Sequence, residues 1–180
     1  MIEVEVKFRG FDGIEEKLLS AGFEFLEEKL EEDIYFSSPV RDFSKTDEAL
    51  RVRRESNSGK AKLTYKGRKM DPLTKTREEL TVEVSDCENM KAILEKLGFE
   101  AVATVRKRRK VYRMGDVLAC VDEVEGLGKF VELEVDVETS KDAIARARER
   151  VSEIALSLGL GKLEDSITLS YLEMVLSRNR

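Results

Sequence analysis

The chain has 180 residues, of which 41% are hydrophobic and 38% charged, and its formal net charge is −5. This length suffices for one domain with a buried core, which we predict to span residues 1–180. Histidine is absent, which excludes Ser-His and Cys-His nucleophilic sites, imidazole bases and histidine-ligated zinc. A metal ion would therefore have to be bound by oxygen atoms, as Mg²⁺, Mn²⁺ and Ca²⁺ are.

Hydrophobic periodicity assigns the elements of the first half of the chain. Apolar and charged residues alternate over 2–8, which predicts a half-buried strand. Apolar residues recur at helical spacing over 13–23, where Gly22 marks the end of a helix. Further elements are a strand over 26–38, a loop around Pro39 that continues over 40–47, and a hairpin with strands 48–56 and 61–68 joined by a turn at 57–59.

The second half continues this succession of strands and helices. In chain order we predict a loop over 70–75, a strand over 76–85, a helix over 87–99, strands over 102–113, 117–126 and 128–138, a helix over 140–160 with Ser140 as its N-cap, and a helix over 166–177. Eight strands in mostly sequential order, with helices inserted, predict an α+β domain built on an eight-stranded antiparallel β-barrel or a strongly curved sheet.

Charged residues on these strands fall into rows. Side chains two residues apart share one face of a strand, so Glu3 and Glu5 lie together with Lys7, and Arg51 lies with Arg53. The other rows are Lys62 with Lys66, Arg77 with Glu79 and Glu83, Lys107 with Arg109, and Glu132 with Glu134 and Asp136, while Asp122 shares a face with apolar residues.

These rows have two interpretations on the residues alone. A solvated outer face of an antiparallel sheet explains any single row. Neighbouring like charges repel, however, so a ligand bound between the rows would explain the whole set. The carboxylate pairs would then bind one or two divalent cations, and the arginines and lysines would bind an elongated polyanion. Carboxylates, a metal ion and a set of cations are typical of phosphoryl or nucleotidyl transfer.

The row of Glu3, Glu5 and Lys7, written EVEVK, resembles the ExExK signature of the CYTH superfamily, the triphosphate tunnel metalloenzymes. Five further stretches, in order along almost the whole chain, are similar to class IV adenylate cyclases and their archaeal relatives: ALRVRR, KLTYKG, KTREELTVEV, VRKRRKVY and VDEVEGLGKFVELEVD. The resemblance implies an eight-stranded antiparallel β-barrel that forms a tunnel, with the charged rows inside and the helices packed outside.

The resemblance also implies roles for individual residues. The residues expected to bind Mg²⁺ or Mn²⁺ are Glu3, Glu5, Asp122, Glu132 and Glu134. Those expected to bind the triphosphate are Lys7, Arg51, Arg53, Lys66, Arg77, Lys107 and Arg109. Asp33 and Tyr35 are expected near the organic end of the substrate. Glu5 and Glu83 are the expected proton acceptors, and Lys107 joins them among the expected catalytic residues.

Members of this superfamily differ in the phosphorus atom that is attacked. A cyclase directs the ribose 3′-hydroxyl of ATP to the α-phosphorus, and pyrophosphate leaves; a triphosphatase directs water to the γ-phosphorus. The substrate register that decides between them is not fixed by the sequence. We expect class IV adenylate cyclase-like activity. The alternatives are hydrolysis of tripolyphosphate, thiamine triphosphate or a nucleoside triphosphate, and a non-catalytic module that binds polyphosphate or nucleotide.

The remaining features bear on partners and location. The acidic net charge argues against nucleic acid as a partner, and strand alternation splits the basic run 106–110 so that Lys107 and Arg109 point inward. Cys87 and Cys120 lack the spacing of a metal site and are expected to be reduced thiols in the cytoplasm. The sequence has no apolar run of membrane-spanning length, so we expect no membrane partner. The resemblance implies a homodimer.

Overall fold

The computed structural model describes residues 2–56 and 60–178, and its eight strands form a closed barrel. In barrel order these are β1 (Ile2–Arg9), β5 (Arg77–Val84), β4 (Ala61–Lys66), β3 (Ala49–Glu55), β2 (Glu24–Ser37), β6 (Glu100–Met114), β7 (Val117–Val124) and β8 (Gly128–Val137). This confirms the predicted eight-stranded antiparallel barrel. The turn predicted at 57–59 lies outside the described residues.

The helices within the described ranges are α1 (Ile14–Ser20), α2 (Phe43–Thr46), α3 (Cys87–Lys96), α4 (Lys141–Ser157) and α5 (Tyr171–Arg178). The predictions of α1, α3 and α4 are confirmed. Gly22 follows α1 with a φ of +95°, a conformation that favours glycine. Ser140 is the N-cap of α4, and its side chain accepts the N–H of Ala143 at 3.5 Å. No helix in the described part of the chain is long and apolar enough to span a membrane.

Two predictions, one of a loop and one of a helix, were wrong in detail. The segment 40–47, predicted as a loop, contains the single turn of α2, which is too short to show a hydrophobic period. The last helix was predicted from residue 166 but begins at Tyr171. Ser170 sets this start, because its hydroxyl accepts the N–H of Glu173 at 3.1 Å and its own N–H donates to the Glu173 carboxylate at 2.7 Å. These two bonds form a capping box.

One compact unit of the chain comprises residues 2–28, 69–77 and 108–168. Its hydrophobic core is formed by the apolar rows of β1, β7 and β8 together with α1 and α4. Val6 of β1, its cross-strand partner Leu133 of β8, and Val151 of α4 are all fully buried there. Because alternate side chains of a strand point to opposite faces, Glu5 and Lys7 lie on the face of β1 opposite these helices.

A second compact unit comprises residues 29–56, 60–68, 78–107 and 169–178. Antiparallel pairing joins β2 to β3, β3 to β4 and β4 to β5. Ile34, Val52 and Leu94 form a hydrophobic cluster in which α3 covers the apolar rows of β2 and β3. The alternate row of these strands carries the charged side chains, including Asp33 and Arg53.

Candidate functional site

Four buried or nearly buried carboxylates of the first unit, Glu5, Asp122, Glu132 and Glu134, form what we call the acidic cluster. Antiparallel pairing of β1 with β8 sets Glu5 opposite Glu134 and Lys7 opposite Glu132. Oxygen atoms of Glu5, Glu132 and Glu134 lie within 4.8 Å of one another. Three of the five predicted metal ligands are therefore within reach of one ion, and Glu3 lies one step along the same face of β1.

The surroundings of the acidic cluster disfavour its negative charge. Burial raises the pKa of Glu134 to about 8, because the nearby carboxylates of Glu3 and Glu132 add to the desolvation and Arg109 only partly offsets it. Burial and the adjacent Glu132 likewise raise the pKa of Glu5. Carboxylates placed directly opposite each other on neighbouring strands repel. The cluster is therefore a place where an added positive charge is stabilised.

Two cations predicted to bind phosphate contact the acidic cluster. The Arg109 guanidinium donates from Nε and Nη2 to both oxygens of Asp122, at 2.7 and 2.6 Å, and it also contacts Glu132 and, at 3.3 Å, Glu134. Lys7 is fully buried with Nζ 3.4 Å from Glu132. Burial and the neighbouring ammonium of Lys75 lower the pKa of Lys7 to about 7.

Lys75 is a third cation at the acidic cluster, and the sequence analysis did not identify it. Its Nζ donates to Glu5 and lies 3.4 Å from Glu132, and its backbone N–H donates to the Glu5 carbonyl at 2.8 Å. Although burial opposes the charge, these two carboxylates raise the pKa of Lys75 above its usual range. A signal was available, because Lys75 lies two residues before Arg77 and would share its face if the strand were extended backwards.

The second unit contains a different charged set, the arginine cluster, formed by Glu31, Asp33, Arg51, Arg53 and Lys107. Antiparallel pairing sets Asp33 opposite Arg53 and Tyr35 opposite Arg51. Nε and Nη2 of Arg53 donate to the two oxygens of Asp33 at 2.6 and 2.7 Å, and Arg51 Nη1 lies 3.5 Å from the same carboxylate. Burial alone would raise the pKa of Asp33, but the two guanidiniums outweigh it and lower this pKa to about 2.

Glu31 and Lys107 complete the arginine cluster. The sequence analysis did not select Glu31. Its carboxylate forms ion pairs with Arg53 at 2.9 Å and with Lys107 at 3.4 Å. The same alternation that selected Asp33 would have selected Glu31 two residues earlier. Nζ of Lys107 also lies 4.9 Å from the ring centre of Tyr171, at the start of α5. The predicted inward side chains of the basic run are confirmed as buried, whereas Arg106 is exposed.

The remaining predicted site residues differ in their environment. Arg77 and Tyr35 are buried. Lys66 is half-buried and pairs with Glu79. Glu83, predicted as a proton acceptor, has 61% of its side chain exposed and pairs with Lys60 at 3.1 Å. Glu83 therefore does not join the buried charges of its own unit, and its catalytic role stays a prediction.

Arg51 carries a buried polar donor in the arginine cluster. Nε of Arg51 is buried and has no hydrogen-bond acceptor among the residues that the structure describes. Leaving a buried donor unsatisfied is unfavourable, and the cost is larger for a charged group. An anion that reaches this guanidinium would remove that cost.

Comparison with known proteins identifies the family. A family model described as the CYTH domain matches residues 1–166. A Methanocaldococcus jannaschii protein named "putative adenylate cyclase" is 44% identical over 178 residues, which cover 97% of this chain and 98% of that protein. An Aeromonas hydrophila adenylate cyclase is 27% identical over 139 residues, 77% of this chain and 69% of that protein. A solved structure from Pyrococcus horikoshii, 44% identical, covers 98% of this chain and 99% of its own with a TM-score of 0.90. The chain belongs to the CYTH domain family.

Proposed function

We propose that the chain is a divalent-metal-dependent enzyme that acts on a triphosphate and converts ATP to cyclic AMP and pyrophosphate. The observation that carries this proposal is the acidic cluster, in which three carboxylates, one of them Glu5 of the ExExK row, converge in a CYTH chain. Retaining so many buried like charges is costly unless a cation binds to them. The names of the two curated relatives favour the cyclase reaction.

The acidic cluster fits Mg²⁺ or Mn²⁺. Its donors are carboxylate oxygens, which hard divalent cations prefer, and Glu5, Glu132 and Glu134 would hold the ion while Glu3 and Asp122 lie next to them. The bound ion would supply charge neutralisation on phosphate oxygens. Glu5 is also the proposed proton acceptor, since the chain contains no histidine.

The cations of the charged rows are the proposed ligands of the triphosphate. Guanidinium groups bind phosphate oxygens in bidentate fashion, and an ammonium binds them as a point charge. The buried Nε of Arg51 supports this role, because it is a donor without an acceptor among the described residues. The full proposed set is Lys7, Arg51, Arg53, Lys66, Arg77, Lys107 and Arg109. Asp33 and Tyr35 remain proposed contacts of the organic end.

The reaction is tested by incubating the pure protein with Mg²⁺ or Mn²⁺ and, separately, ATP, tripolyphosphate or thiamine triphosphate. Cyclic AMP with pyrophosphate in equal amounts is expected from ATP. Release of orthophosphate without cyclic AMP would replace the cyclase by a triphosphatase. Tight binding of these compounds without any turnover would instead leave a non-catalytic binding module. A homodimer in the cytoplasm stays part of the proposal and is checked by sedimentation and by cell fractionation.

The metal site is tested with a matched pair of variants. Glu132→Gln removes one carboxylate of the acidic cluster and keeps the side-chain volume, so we expect at least a roughly 100-fold loss of metal-dependent turnover. Glu123→Gln makes the same change at an exposed position of the adjacent strand β7 and should leave turnover unchanged. Equal activity of the two variants would refute the ligand role of Glu132.

A further inference from the structure

Lys75 reaches the acidic cluster from a loop that is held in place at several points. This loop, residues 69–76, lies between β4 and β5. Within it, the Asp71 carboxylate accepts the N–H groups of Leu73 at 2.7 Å and Thr74 at 3.1 Å. The Met70 N–H donates to the Thr76 carbonyl at 2.8 Å and closes the loop. The loop is therefore an ordered element that presents Lys75 in one position.

Two contacts anchor the outer side of the loop to the rest of the first unit. Arg148 of α4 contacts the Asp71 carboxylate at 2.6 Å, and the Ser166 hydroxyl donates to the Leu73 carbonyl at 2.7 Å. A cavity of about 740 Å³ is lined by loop residues, including Met70, and by α4 residues, including Ile144. The loop is thus held by specific polar contacts and borders a cavity on its α4 side.

The ammonium of Lys75 contacts two of the three carboxylates that converge in the acidic cluster, Glu5 and Glu132. A divalent cation that binds Glu5, Glu132 and Glu134 would use two of the carboxylates that the ammonium contacts. The ammonium and the ion are both positive and would repel strongly at such a short separation in a buried site. The ammonium in this position and a metal ion therefore compete for Glu5 and Glu132.

We propose that Lys75 is a built-in counter-ion of the metal site, which neutralises Glu5 and Glu132 when no ion is bound and is displaced, with its loop, when a divalent cation binds. This inference rests on the proposed function, because it takes the acidic cluster as the metal site. The ion and Lys75 alternate on the same two carboxylates, so metal binding changes the position of the loop where it contacts α4. The contact that Arg148 makes with the loop determines how much free energy the displacement of the loop costs.

The test measures metal binding directly, without turnover. Mn²⁺ is titrated into the full chain, and binding is followed calorimetrically and by the electron paramagnetic resonance signal of free Mn²⁺. Lys75→Met keeps most of the length of the unbranched side chain and removes its charge, so it should bind Mn²⁺ on the order of tenfold or more tightly than wild type. Lys45→Met, at a lysine whose side chain is 81% exposed, is the matched control and should bind as wild type does.

A second variant and a second measurement protect the test against misfolding of Lys75→Met. Arg148→Met releases the outer anchor without changing the cluster, and it should tighten Mn²⁺ binding by a smaller factor. In wild type, Mn²⁺ should speed hydrogen–deuterium exchange of the peptide that contains Lys75, because the bond from its N–H to the Glu5 carbonyl opens. Unchanged affinity in both variants, together with unchanged exchange, would overturn the counter-ion role.

Failure of this proposal is distinguishable from failure of the proposed function. Binding in wild type that is lost in Glu132→Gln but is not tightened in Lys75→Met would leave the metal site standing and reject the counter-ion. Absence of Mn²⁺ binding in wild type and in both loop variants would reject the metal site and the counter-ion together. Binding that appears only in Lys75→Met would support both.

Discussion

The acidic cluster and the arginine cluster contain similar groups at similar depth, yet the pKa values of their carboxylates shift in opposite directions. The pKa of Glu134 rises to about 8, whereas the pKa of Asp33 falls to about 2. Both side chains lie on paired strands away from water. The difference comes from the neighbouring charges, because burial and the carboxylates of Glu3 and Glu132 outweigh Arg109 at Glu134, whereas Arg53 and Arg51 outweigh burial at Asp33.

This difference separates a carboxylate that an added cation would stabilise from one that its neighbours already neutralise. Desolvation penalises both carboxylates, and only a nearby opposite charge can offset that penalty. Asp33 has two bonds from one guanidinium, so its charge contributes to folding. Glu134 has a weaker contact with Arg109 at 3.3 Å and three neighbouring carboxylates, Glu3, Glu5 and Glu132. We interpret the acidic cluster as a group of residues that the protein retains at a cost in folding stability.

The largest expected effect is therefore on folding and comes from Asp33. Asp33→Asn removes the carboxylate that Arg53 and Arg51 share, although Glu31 still pairs with Arg53, and we expect the free energy of unfolding to fall by about 3–5 kcal/mol. Urea denaturation of the metal-free protein at pH 7 measures it. Glu134→Gln is the counterpart in the acidic cluster and should not destabilise the protein at this pH. Equal losses in the two variants would remove the contrast between the clusters.

A second, somewhat smaller effect is the pH dependence of Glu134. A carboxyl group whose pKa is raised on folding costs stability as the pH climbs from its unfolded value, about 4.5, to its folded value, about 8. The Gln variant lacks this loss. We expect it to match wild type near pH 5 and to exceed it by a few kcal/mol at pH 8, with no further divergence above that pH.

Denaturation curves in the presence of EDTA at pH 5, 6.5 and 8 check this prediction. A constant difference between Glu134→Gln and wild type across these values would contradict it. Asp33 supplies the opposite sign, because its pKa of about 2 lies below the usual 3.8. The stability that Asp33 contributes is complete above about pH 4 and is lost as the pH falls toward 2. Over this range the free energy of unfolding of Asp33→Asn should therefore fall less steeply than that of wild type.

Much of this contrast could be predicted from the sequence, and the missing part has a physical reason. Alternation places Glu5 and Lys7 on one face of a strand whatever the strand pairs with. The pairing of Asp33 with Arg53 depends on the register of β2 against β3, which single-strand periodicity does not contain. Lys75 was missed because it lies in the loop before β5, and only a backward extension of that strand would have placed it on the face of Arg77.

The smallest expected effect concerns the basic run of β6. It tests whether burial, rather than charge, distinguishes the two clusters from the surface. Arg106 pairs with Glu32 at 2.8 Å, but 58% of its side chain is exposed, so water already solvates both charges. Arg106→Gln should change the free energy of unfolding by less than about 1 kcal/mol. Urea denaturation of Arg106→Gln and of Asp33→Asn under the same conditions compares two arginine–carboxylate pairs of the same unit. A loss of several kcal/mol at Arg106 would mean that ion pairing itself dominates, and the contrast between the clusters could not then be ascribed to desolvation.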